Sequence, residues 1–204
     1  MTTRILLATR NPGKLDELRR IVVKRGLSDV RVLGLSDVEE FAEAPETGAT
    51  FEENAVAKAY DAAKATGLPA IADDSGLSID ALGGMPGVLS ARWAGRHGDD
   101  EANLRLVLGQ LQDVPDERRG GGFVSAAAFV VPDGKEIVVR GEWRGTIIRE
   151  PRGSNGFGYD PIFVPEGETR TSAELDPAAK DAASHRGKAL RSLLPHLQEY
   201  AEAG

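Results

Sequence analysis

Residues 4–26 read RILLATRNPGKLDELRRIVVKRG. Arg4 to Ala8 is a short, nearly unbroken apolar run and reads as a buried strand. The pattern then changes. Asn11 is a helix-capping residue and Pro12 suits the first helical position, where its missing N–H costs nothing. Leu15, Leu18, Ile21 and Val22 recur at helical spacing, and Gly26 supplies a stop. A strand that feeds directly into an amphipathic helix is the unit from which α/β folds are built.

The rest of the chain extends this pattern. "VRVLGL" (30–35) is a second strand, followed by an acidic loop that contains Glu46. Thr50 and Glu53 are spaced as a capping box for an alanine-rich helix that ends at Gly67. Ala70 to Ala72 is a third strand, then comes an Asp73-Asp74-Ser75-Gly76 step and a second extended piece, "LSID". Leu104, Val107, Leu108 and Leu111 mark a third helix. "GGFVSAAAFVV" and "KEIVVRGEWRGTII" are strands joined by "PDG", which predicts a hairpin. The glycine-rich "RGSNGFGYDP" precedes a short strand, "IFV". Asp176-Pro177 opens a helical piece, and Ser184 is placed to cap a last helix with Ala189, Leu190, Leu193, Leu194, Leu197 and Tyr200 on one face. Strands and helices alternate first and a hairpin follows, so the expected fold is α/β with a mixed sheet.

Composition narrows the function. A chain of 204 residues with 41% hydrophobic and 28% charged content can bury a core as one soluble domain. A net charge of -7 argues against broad nucleic-acid binding, which needs a basic face. The absence of cysteine excludes thiolate metal sites and cysteine nucleophiles and fits a reducing compartment. The apolar run "ILLA" is too short for a signal peptide or a membrane span, so no membrane partner and a cytoplasmic location are expected.

Four stretches carry residues suited to chemistry. In Thr9-Arg10-Asn11-Pro12-Gly13-Lys14 a strand delivers the chain to a helix N-terminus, whose free N–H groups favour an anion. Lys14 sits where a cation opposes the helix dipole, a cost that a phosphate would offset. The spacing is not that of a Walker loop, and an ordinary cap with a solvated lysine is the alternative. Asp73 and Asp74, with Glu46 upstream, offer hard oxygens for Mg²⁺; a plain Asp-Ser-Gly turn is the alternative. In a strand, neighbours point to opposite faces, so only one aspartate, Asp74 being the better candidate, can face a ligand. Lys180, His185 and Arg186 cluster donors at a helix start, either as a surface or as an anion or carbonyl site. His97 and His196 show no metal-ligand spacing with His185. Phe157 lies between glycines and serves either as a stacking face or as a core plug.

Taken in order, "LLATRNPGKLDEL", "TFEENAVAKA", "AIADDSGL", "LGGMPGVLSAR", "GFGYDPIF" and "SHRGKAL" resemble the inosine triphosphate pyrophosphatase family over nearly the whole chain. The resemblance implies an α/β fold with a long central mixed β-sheet flanked by helices. It implies one domain over residues 1–204, built of two inseparable lobes with an active-site cleft between them. It also implies a homodimer that uses Mg²⁺ to hydrolyse ITP, dITP and XTP to the monophosphate and pyrophosphate. In the roles so implied, Thr9, Arg10, Asn11, Pro12, Gly13 and Lys14 bind the triphosphate. Glu46 and Asp73 help hold the metal, Asp74 is catalytic and touches the metal, and Ser75 touches substrate. Phe157, Gly158, Tyr159, Asp160, Lys180, His185 and Arg186 hold the base and sugar end. A non-catalytic nucleotide sensor and a pyrophosphatase for modified pyrimidine nucleotides are the competing readings.

Overall fold

The computed structural model describes residues 2–42, 45–132 and 134–203. Among them, six strands form one mixed sheet in the order β2-β1-β3-β4-β5-β6, with β1 at Thr3–Leu7, β2 at Val30–Leu33, β3 at Ala70–Ile79, β4 at Gly120–Val130, β5 at Glu136–Ile147 and β6 at Phe163–Pro165. β1 runs parallel to both β2 and β3, whereas β5 and β6 are antiparallel. The helices are α1 at Pro12–Lys24, α2 at Phe51–Thr66, α3 at Asp100–Gln110, α4 at Pro177–Ala183 and α5 at His185–Ala203. No helix among the described residues is long and apolar enough to cross a membrane.

The chain forms two compact units. The first comprises residues 1–74, 125–140 and 186–204, and the second comprises 75–124 and 141–185. In the first unit, Leu18 and Val22 of α1 pack with Ile5, Leu7 and Ile71 of the sheet and with Leu190, Leu193 and Leu197 of α5. The helical spacing read from the sequence is therefore the buried stripe. The second unit is built around Leu77, Ile79, Leu104, Val107, Leu111, Trp143, Ile147 and Phe163. Arg119 is buried inside it and donates to the carbonyls of Leu111, Ile147 and Ile148 at 2.6, 2.8 and 3.2 Å. Its guanidinium thus satisfies the end of α3 and the end of β5, two places where carbonyls lack partners of their own.

Two expectations need correction. The Asp-Asp-Ser-Gly step does not interrupt the third strand: β3 runs unbroken through it. Gly76 is the reason, because a Cβ there would lie 2.5 Å from the Gly87 carbonyl, so only glycine lets the 87–92 turn press against the strand. Ser90 Oγ from that turn accepts the Leu77 N–H at 2.9 Å, which stands in for a sheet partner. The capping box of α2 is also shifted. Thr50 Oγ1 accepts from Glu53 N at 3.1 Å, but the Glu53 carboxylate accepts from Ala49 N at 2.7 Å, one residue earlier than in the ideal motif. The β4–β5 hairpin closes through Val131 N–H to Lys135 O at 2.9 Å, and Asp133 of its "PDG" turn lies outside the described residues.

Candidate active site

In the first unit, β1 has β2 on one side and β3 on the other, so the chain leaves β1 at a point where the sheet order reverses. Crevices at the C-terminal ends of such parallel strands are where α/β proteins place ligands. The register fixes what stands there. Leu7, the last residue of β1, pairs with Ile71, and Ala8 N–H donates to Ile71 O at 2.8 Å. Asp73 and Asp74 therefore lie just past the end of β1, where the Thr9–Lys14 segment turns into α1. Asn11 caps that helix by accepting from Gly13 N at 2.9 Å, and Thr9 Oγ1 accepts from Asn11 N at 3.2 Å.

The two aspartates have different partners, as alternation along a strand requires. Asp73 Oδ2 accepts from Lys14 Nζ at 2.7 Å and lies 3.5 Å from Arg186 Nε. Lys14 thus finds a carboxylate for the charge that the helix dipole disfavours. Asp74 Oδ2 accepts from Asn54 Nδ2 at 2.9 Å, and its Oδ1 lies 3.3 Å from Lys58 Nζ. Lys58 also meets Glu46 Oε1 at 2.5 Å, so one ammonium sits between the Glu46 and Asp74 carboxylates.

Both aspartates are buried, and burial pushes a carboxyl pKa up. At Asp73 the nearby charges of Lys14 and Arg186 overcome this and hold the group down at about 2. At Asp74 burial prevails: Lys58 and the Asn54 hydrogen bond oppose it, Glu46 adds to it, and the pKa is raised. One carboxylate is thus committed to its charge, and its neighbour is left with more affinity for a proton.

The second unit gathers the glycine-rich loop. Asp160 is 3% exposed, and its oxygens accept from Phe157 N at 2.9 Å, Ser172 Oγ at 2.7 Å and Lys180 Nζ at 2.5 Å. Tyr159 is buried, and its hydroxyl donates to Ser90 O at 2.7 Å. Gly158 N–H donates to Asp100 Oδ2, in the first turn of α3, at 2.8 Å. These bonds leave the Phe157 ring 60% exposed, with Lys180 Nζ 5.4 Å from its centroid. A pocket of about 570 Å³ opens beside it, lined by Leu104, Leu108, Asn155, Phe157 and Pro161 among others. That volume suits a small molecule.

Residues 5–196 match the Ham1 family. The chain belongs to the Ham1 family. It is 67% identical over 199 residues to the dITP/XTP pyrophosphatase of Nocardia farcinica, covering 98% of this chain and 97% of that one. It is 63% identical to the dITP/XTP pyrophosphatase of Mycobacterium tuberculosis, with 98% of each covered. Among solved structures, the dITP/XTP pyrophosphatase of Mycobacterium abscessus superposes with a TM-score of 0.82 at 62% identity, covering 96% of this chain and all of that one. A HAM1 protein from Coxiella burnetii gives 0.87 at 44% identity, covering 97% and 100%. The family and the α/β fold with a long mixed sheet are those expected from the motifs.

Against the family pattern, the structure sorts the expected residues into two groups. Thr9, Asn11, Lys14, Glu46, Asp73, Asp74 and Arg186 belong to the first unit; Ser75, Phe157, Gly158, Tyr159, Asp160, Lys180 and His185 belong to the second. Within the stretch 157–160 the structure exposes Phe157 and turns Tyr159 and Asp160 inward, so these two shape the loop. His185 is also buried, its ring stacked on Phe123 at 5.1 Å. Sequence reasoning passed over Asn54 and Lys58. Their signal is a pair of polar residues four apart on an alanine-rich helix, a spacing that puts both on one face.

Among the described residues, no three Asp, Glu, His or Cys side chains converge as a metal cage. The Glu46–Asp74 pair already holds one cation, the Lys58 ammonium, and two carboxylates suffice for Mg²⁺, which keeps waters and shares substrate phosphates. Asp73 has its oxygen taken up by Lys14.

Proposed function

We propose that this protein hydrolyses non-standard purine nucleoside triphosphates (ITP, dITP and XTP) to the nucleoside monophosphate and pyrophosphate. The observation that carries the reading is the pair of adjacent aspartates with opposite partners, one bound by the cations Lys14 and Arg186 and the other facing Glu46. Close relatives that bear the name dITP/XTP pyrophosphatase support it. Glu46 and Asp74 would hold Mg²⁺, which when bound neutralises phosphate charge.

The remaining roles follow from the chain's own groups. The N–H groups at the start of α1, with Lys14, receive the triphosphate and stabilise charge on the departing pyrophosphate. Arg186 Nε, buried and without a hydrogen bond among the described residues, is a further donor for an anion. Asp74, with its raised pKa, takes the proton of the attacking water. Water adds to the phosphorus of the nucleoside-bound phosphate, the bond to the bridging oxygen breaks, and pyrophosphate leaves. In the second unit, the exposed Phe157 ring offers a face to the base and Lys180 offers a donor to its 6-oxo group. A 6-amino group presents a donor where that ammonium needs an acceptor, so it is disfavoured.

Incubation of the protein with ITP and Mg²⁺ tests the reading. Inosine monophosphate and pyrophosphate are the expected products, with ATP a poor substrate; release of orthophosphate would refute the bond assigned. We further propose a homodimer acting in the cytoplasm. The family resemblance and the cysteine-free composition support this, and a monomer mass by light scattering or recovery outside the cytoplasmic fraction would contradict it.

A further inference from the structure

Asn54 lies on α2, among the buried residues Phe51, Ala55, Ala59, Ala62 and Ala63 of that helix, and is 2% exposed. A polar side chain buried among apolar ones costs stability unless both ends of its amide are satisfied. Both are. Its Nδ2 donates to Asp74 Oδ2 at 2.9 Å, and its Oδ1 accepts from Gly48 N at 2.8 Å. Gly48 is two residues from Glu46 in the loop before α2. A Cβ at Gly48 would lie 2.6 Å from Asn54 Oδ1, so the loop rests on this amide with no space between them.

We infer that Asn54 is a positioning residue that ties the loop carrying Glu46 to strand β3 and so fixes the spacing of the Glu46 and Asp74 carboxylates. The inference rests on the proposed reading of that pair as the metal-holding carboxylates. Aspartate in its place would lack the donor, serine could not reach across, and leucine would make neither bond. Lys58, one turn further along α2, charges the space between the two carboxylates, while Asn54 sets how far apart they stand. Residues behind metal ligands commonly alter metal affinity by about 10–100-fold when changed.

The test measures Mn²⁺ binding to the whole protein by electron paramagnetic resonance, without nucleotide, alongside thermal melting. Asn54→Ala and the volume-keeping Asn54→Leu are each expected to weaken Mn²⁺ binding at least about tenfold. In turnover of ITP they shift Mg²⁺ activation to higher concentration and leave kcat at saturating Mg²⁺ much less affected. Thr50→Ala, which removes the cap of the same helix and touches neither carboxylate, is expected to lower the melting temperature and leave Mn²⁺ affinity unchanged. Wild-type Mn²⁺ affinity in either folded Asn54 variant, with Asp74→Asn losing binding, overturns the inference and leaves the metal reading standing. Absence of Mn²⁺ binding to the wild type, or undiminished binding in Asp74→Asn, overturns both.

Discussion

Asp74→Asn is expected to lower kcat for ITP by about 10³-fold while the protein stays folded. The size follows from what Asp74 does alone. Its pKa is raised, mainly by burial and further by Glu46, whereas Asp73 is held at about 2 by Lys14 and Arg186 and is a poor base. Of the two adjacent aspartates, Asp74 alone combines the place with a raised proton affinity. The fold survives because asparagine has nearly the same shape, and its amide oxygen can still accept from Asn54 Nδ2. Lys58 keeps its 2.5 Å contact with Glu46, so no ammonium is stranded. Circular dichroism melting is expected to move by a few degrees at most, and steady-state turnover measures the loss. Turnover near wild type would remove Asp74 from the base's role. If Asp73→Asn matched the loss with Asp74→Asn active, the assignment of the two neighbours would be reversed.

Much of this was legible in the sequence, because the features concerned are local. The start of α1 at Pro12, its Asn11 cap and its buried Leu18 and Val22 follow from turn chemistry and period, and the structure keeps them. The run Leu190, Leu193, Leu197 reads the same way at the other end of the chain. What was not legible depends on contacts distant in sequence. The break expected at Asp73-Asp74-Ser75-Gly76 rests on residues that favour turns. The 87–92 segment packed on Gly76 overrides that preference, and nothing near Gly76 announces it. The inward turn of Asp160 is similar: Ser172 and Lys180 reach its carboxylate from 12 and 20 residues away. Asn54 and Lys58 were hidden in a helix that looked like ordinary alanine-rich packing. Their meaning depends on facing β3, which only the fold decides.

Lys14→Met should separate stability from chemistry most sharply. Asp73 is 7% exposed and its charge is bound chiefly by Lys14. Methionine preserves the stem of the side chain but takes away the nearest cation, leaving Arg186 at 3.5 Å and the charge of Lys58 to face the carboxylate. Breaking a buried pair from one side costs about 3 kcal/mol, equivalent to roughly 10 °C in Tm for a chain of this size. Adding Asp73→Asn removes the stranded charge, so the double variant is expected to recover to within about 1 kcal/mol of wild type. Activity should not recover with it. Both variants lack the ammonium at the start of α1, and each is expected to lose about 10²-fold or more in kcat/KM for ITP. Calorimetry and steady-state kinetics on the single and double variants read the two effects. An active double variant would show that Lys14 serves only to neutralise Asp73. A single variant as stable as wild type would show that Arg186 and Lys58 suffice for that charge. Restored stability without restored turnover would instead mean that the buried pair holds Lys14 in place, and that the lysine's catalytic task is directed at the phosphates.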